Sequence, residues 1–162
     1  MAITNMFLKL NGLDGESMDE DHKDWIEVES FSWGVDNPAS FAIGQGGQST
    51  QAHVSALNIQ KHCDKASVSL FKASTTGKHI PDGTLSCMKL DGDSRVEYLK
   101  IDLTDIMVSG LQWSGSGGEH LVHEHLSLVF AEFKQSYNLQ SDAGGAQGAT
   151  DFGYNVQTSK AS

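Results

Sequence analysis

The 162 residues carry 38% hydrophobic and 20% charged side chains, enough apolar material for one compact domain and too much for a disordered chain. The 21 acidic and 11 basic side chains leave a formal charge of −10, which argues against nucleic acid or an anionic membrane as partner, since both attract cations. No apolar run reaches the roughly 18 residues that span a bilayer, and Cys63 and Cys87 fit neither a disulfide framework nor a zinc spacing, so they read as reduced, buried thiols.

Glycine is frequent, at 17, and proline scarce, at 2. Short runs of Val, Ile, Leu and aromatics alternate with Gly, Asp, Asn and Ser, which predicts a mainly β fold of many short strands. Met1 to Phe7 holds no basic segment and no long apolar stretch, which predicts a cytoplasmic protein or one exported without a Sec signal peptide. Met6–Leu10 is the first strand. The acidic stretch from Asp14 to Asp24 reads as a solvated loop, because Asp19-Glu20-Asp21 lacks the offsets of a calcium loop.

Trp25–Trp33 is a strong strand whose alternation slips near Glu29-Ser30, suggesting a β-bulge. If Phe31 and Trp33 point inward, Ser30 and Ser32 point away from the core. Asn37–Thr50 is a long, glycine-containing loop. Its Phe41 and Ile43 are odd choices for free solvent and predict a surface to cover them, while Gly46 and Gly47 allow a close backbone approach.

His53–His62 resumes strand alternation. A helix then spans about Lys65–Thr75, capped by Asp64, with Ala66, Leu70, Phe71 and Ala73 as its apolar stripe and Gly77 as its stop. Further strands are predicted at Leu85–Leu90, Val96–Val108 and Leu111–Trp113, with a turn at Asp91-Gly92-Asp93. Val122–Tyr137 is the longest predicted strand. Its even positions, Val122, Leu126, Leu128 and Phe130, read as core. Its odd positions turn apolar at Val129, Ala131 and Phe133, so the outer face there should also be covered. A Gly/Ala linker from Ser141 to Thr150 and a last strand from Asp151 to Val156 complete the chain.

His120-x-x-His123-x-His125 is the best metal candidate by type, since His123 and His125 share a strand face about 7 Å apart. No fourth ligand has a recognisable spacing, so they read as exposed polar residues and no metal or other cofactor is assigned. The glycine clusters lack a P-loop lysine, and no G-x-S-x-G elbow occurs. No catalytic residue is therefore assigned.

The order of motifs resembles the Hcp family, the tail-tube proteins of bacterial type VI secretion systems. The resemblance is carried by Gly15-Glu16-Ser17, Ile26-x-Val28-x-x-Phe31-Ser32-Trp33-Gly34, Lys61-x-x-Asp64-Lys65-Ala66, Gly77-Lys78-His79-Ile80-Pro81, Val96-Glu97-Tyr98, Gly117-Gly118-Glu119 and Phe152-Gly153-Tyr154-Asn155. Ile80 departs from the aromatic that many members carry. The resemblance implies a compact β-barrel of two packed sheets with one helix, filling residues 1–162 as a single domain with no C-terminal toxin extension. It implies self-association into homohexameric rings, stacked into a tube inside a sheath with a spike at its tip. The tube would leave the cell without a Sec signal and would carry small effector proteins in its lumen. On that reading Phe41, Ile43, Gly46, Gly47, Val129 and Phe133 contact neighbouring subunits or rings, and Ser30 and Ser32 face the lumen. Two other readings are a metal-dependent hydrolase using His120, His123 and His125, and a monomeric secreted binding domain.

Overall fold

The computed structural model describes residues 5–39, 41, 51–140 and 146–162. Ile43, Gly46 and Gly47, with most of the 37–50 loop and the 141–145 part of the linker, lie outside the described residues. The elements in chain order are β1 (Met6–Leu10), β2 (Ile26–Val28), β3 (Ser30–Ser32), β4 (Val35–Asp36), β5 (His53–Val54), β6 (Leu57–His62), α1 (Ser67–Thr76), β7 (Ile80–Asp91), β8 (Ser94–Ser114), β9 (His123–Gln140), β10 (Ala146–Asn155) and β11 (Lys160–Ala161).

The fold is mainly β with one short helix, as the sequence predicts, and its strands form two sheets. The larger sheet has nine strands, seven of them in the order β11-β10-β9-β8-β7-β1-β2 with β6 and β3 branching from β9, and the smaller is the β4–β5 ribbon. One edge of β9 is shared. Its first half pairs with β6, from Leu128↔Leu57 to His123↔His62, and its second half pairs with β10. β3 in turn pairs with β6. The sheet curls around its core without a continuous closing ladder, so the barrel is open.

The opening lies at Glu29. Val28 pairs with Met6 of β1, Ser30 pairs with Gln60 of β6, and the Glu29 N–H donates to the Gln60 carbonyl at 2.9 Å. The slip in alternation that suggested a bulge is thus a change of partner strand. A true irregularity sits at Ser109, between the Val108↔Leu128 and Gly110↔Ser127 pairs. It carries one strand through Gly110, so β8, with 21 residues, is the longest strand instead of two pieces.

Phe133 corrects the sequence reading. It is 6% exposed and belongs to the chain's own core, not to the outer face. The cause lies on the paired strand. Ile101 and Leu103 point inward before Asp105, and Ile106 and Val108 point inward after it. Asp105 takes φ +52°, in the left-handed region, and the inward parity of both strands changes there together. Leu103 pairs with Phe133 and Ile106 with Phe130, so both phenylalanines reach the core, where Trp33 meets Phe133 edge-on at 4.8 Å.

Helix α1 begins after a locked turn. Asp64 Oδ1 accepts the Ala66 N–H at 2.9 Å, and Ser67 Oγ accepts the Asp64 N–H at 2.8 Å. The Asp64 cap thus acts just ahead of the helix. Gly77 stops it at φ +64°. Ala66, Leu70 and Ala73 are buried, whereas Phe71 lies outside the stripe and leans on Trp113 at 5.2 Å.

The acidic connection is also not a free loop. Ser17 and His22 are buried, and the chain at Gly15 runs against β2 so closely that a Cβ would lie 2.5 Å from the Trp25 carbonyl oxygen.

Candidate assembly surface

Successive side chains of a strand point to opposite faces, so paired strands present rows of residues. Across β3, β6, β9 and β8 the inward rows are Phe31–Ile59–Leu126–Leu111 and Leu57–Leu128–Val108. The outward rows are Ser32–Asn58–Ser127–Gly110, Ser30–Gln60–His125–Gln112 and His62–His123–Ser114. The outward face therefore holds no large apolar side chain in these three rows. Ser30, Ser32, Asn58, Gln60 and His125 are exposed, and Ser127 Oγ donates to Asn58 Oδ1 at 2.7 Å. Along these rows the four strands make one wall, apolar toward the core and uncharged or imidazole-bearing toward solvent.

Exposed apolar side chains lie outside these three rows. Phe41 is 90% exposed, and Val129 is 39% exposed on the outward side of β9. Val129 borders a cleft of about 180 Å³ with Met107 and Phe130. A larger cleft of about 350 Å³ is lined by Trp33, Val35, Val54, Phe133, Phe152 and Tyr154, between the small ribbon and β10.

Two buried polar networks brace the fold, and the first lies beneath the wall. Lys61 and Glu124 are fully buried and form an ion pair across β6 and β9. Lys61 Nζ also donates to Asp64 Oδ1 at 3.1 Å, Ser67 Oγ at 3.1 Å and the His62 carbonyl at 3.0 Å. Glu124 also accepts from Trp113 Nε1 at 2.8 Å and from Ser67 Oγ at 3.0 Å. This network fastens the start of α1 to the sheet, which explains the Lys61-x-x-Asp64 spacing. Glu124 was missed in the sequence, although it occupies an even, core-facing position of β9, where a carboxylate requires a buried partner.

The second network joins Asp19, His22 and Ser86. His22 Nδ1 is 2.9 Å from Asp19 Oδ1, and its Nε2 is 3.1 Å from Ser86 Oγ. The connectivity is that of a hydrolytic triad. Ser86, however, is fully buried and its hydroxyl donates to Glu97, so it is held as a structural link. Arg95 closes the network on Asp19 and stacks over Phe7. Burial alone would raise the Asp19 carboxyl, but hydrogen bonds from His22 and Arg95 and the Arg95 charge outweigh it, and its pKa is lowered.

The histidines are arranged differently from the sequence grouping. His123 faces His62 directly across the ladder, with ring centroids 4.9 Å apart, and His62 Nδ1 lies 2.6 Å from Glu29 Oε1. Among the described residues, Glu29, His62 and His123 form the group whose ligand atoms converge; His120 and His125 do not join it.

Residues 7–137 match the family model described as "Type VI secretion system effector, Hcp". The chain is 35% identical over 158 residues to protein hcp1 of Pseudomonas aeruginosa, covering 97% of each. Its structure superposes on that of a type six secretion system protein with a TM-score of 0.91 and 32% identity, covering 99% of this chain and 100% of the other. It also superposes on Hcp1 from Salmonella typhimurium with a TM-score of 0.79 and 36% identity, covering 97% of both. With a family match over most of its length and relatives of this identity, the chain belongs to the Hcp family and is a structural tube protein of type VI secretion, not an enzyme.

Proposed function

We propose that the chain assembles as a homohexameric ring whose inner surface is the polar wall of β3, β6, β9 and β8. The two-faced sheet is the observation that carries this reading. A channel that passes folded cargo favours a polar face without large apolar side chains, and the outward rows containing Ser30 and Ser32 are such a face.

A closed ring uses two different patches on each subunit. Phe41 and Val129 supply exposed apolar area, and the cleft beside Trp33 and Phe152 is an apolar recess able to take a partner side chain. Ile43, Gly46 and Gly47 would act with Phe41 as one assembly loop. Stacked rings would form the tube, with sheath and spike proteins as further partners and small effector proteins in the lumen. The acidic surface, at −10 per chain, keeps separate rings soluble and makes stacking sensitive to salt. Expulsion with the tube would be the route out of the cell.

Native mass spectrometry of the full chain tests the ring. Six copies per particle are expected; a single-chain species at all salt concentrations would contradict it. Ser32→Gln tests the wall, and should leave the hexamer intact while reducing recovery of a co-expressed small effector.

A further inference from the structure

We propose that Glu29, His62 and His123 bind one divalent transition-metal ion of the zinc class, clamping the seam at which the sheet fails to close. One donor atom from each residue lies within 4.8 Å of the others. Tetrahedral zinc with ligand bonds of about 2.0–2.2 Å needs its ligand atoms roughly 3.3–3.6 Å apart, within reach of small side-chain rotations. Two imidazoles and one carboxylate suit zinc, nickel or copper and not the all-oxygen preference of calcium or magnesium.

The local arrangement is more ordered than three exposed residues meeting by chance. His62 and His123 are a direct cross-strand pair, so their rings are held on one face by the ladder. Glu119 Oε2 lies 2.9 Å from His123 Nε2. Such a carboxylate fixes ring orientation and tautomer and leaves the other nitrogen as an acceptor for a metal. Glu29 lies between β2 and β3, where the pairing partner changes from β1 to β6. One ion would therefore join the hand-over point, the end of β6 and the start of β9. The fourth position is open to water. The chemistry proposed is structural cross-linking, with no catalytic step.

The test uses the full chain, purified without a histidine tag and stripped with chelator. Zinc is titrated by calorimetry at pH 7.5, and cobalt is added as a spectroscopic probe. One zinc per chain is expected, with a rise in melting temperature as zinc exceeds its dissociation constant. Cobalt should give the visible bands of a four- or five-coordinate site. Glu29→Gln should weaken binding about tenfold or more, as loss of a charged ligand does. His62→Gln with His123→Gln should abolish binding, while its metal-free melting curve reports whether it is folded. His120→Gln with His125→Gln should bind as the parent does. No saturable binding, unchanged binding in Glu29→Gln, or loss of binding in the His120/His125 variant would each overturn the site. The hexamer can fail its own test while this one succeeds, because all three ligands come from one chain.

Discussion

Lys61 and Glu124 face each other across β6 and β9 with both side chains fully enclosed, and every oxygen of the carboxylate has a partner. A buried pair of this kind adds little over apolar residues of the same volume, but it is costly to break from one side. Glu124→Ala should therefore lower stability by about 3–5 kcal/mol, because it takes the nearer carboxylate from a buried ammonium and the acceptor from Trp113 and Ser67. Lys61→Met combined with Glu124→Leu should lose much less. Urea unfolding of the three proteins checks the ordering.

Asp19 gives the fold an acid limit. Its folded pKa lies below the ordinary 3.8, so its contribution is complete above that value and is lost as pH falls through the folded value. Asp19→Asn should be less stable than the parent by about 1–2 kcal/mol at pH 7, as expected for a partly buried, charge-assisted contact. The difference should shrink as pH falls below 3.8. Melting temperatures from pH 7 to pH 2 measure both.

Burial, with a smaller contribution from Glu97, pushes the Cys87 thiol up to about 11, and burial likewise raises half-buried Cys63. The thiolate is the reactive form, so both should react slowly with a thiol reagent at pH 8, and Cys87 only on unfolding. Timed labelling with mass detection distinguishes them.

Gly15 tests the folded acidic connection. An added Cβ would sit 2.5 Å from the Trp25 oxygen and 2.6 Å from the Ile26 Cα, both backbone atoms that yield poorly. Gly15→Ala should cost roughly 1–3 kcal/mol, in the range of overpacked sites. A melting temperature equal to the parent's would show that this turn is free to move.

Much of the strand content was legible because alternation and turn residues are local signals. The Asp91-Gly92-Asp93 turn, the Gly77 stop and the outward direction of Ser30 and Ser32 all follow from residues close in sequence. The errors came from pairing. Phe133 turns inward because Asp105, on the neighbouring strand, adopts a left-handed backbone, and no parity count along β9 contains that information. The acidic connection folds down because Arg95 and Ser86, more than sixty residues away, meet Asp19 and His22. His62 and His123 become neighbours only through the β6–β9 register, so a search for histidines near in sequence finds His120 and His125 instead. In the motif Lys61-x-x-Asp64 the residues were visible, but their buried partner Glu124 was not.

The apolar exposure should matter to assembly and little to the subunit. Phe41→Ser with Ile43→Ser, or Val129→Ser alone, should weaken rings or stacking while the chain's fold survives, because Phe41 and Val129 are exposed in the isolated chain. Native mass and circular dichroism read the two effects separately. Preserved rings with a reduced melting temperature would place these side chains against their own subunit.

In the proposed ring the polar wall faces a channel. An electron cryomicroscopy reconstruction of the purified full chain tests it most directly. A six-fold ring with Ser30, Ser32, Asn58 and Gln60 lining the central opening is expected. Particles without rings, or a ring whose opening is lined by another face of the sheet, would contradict it.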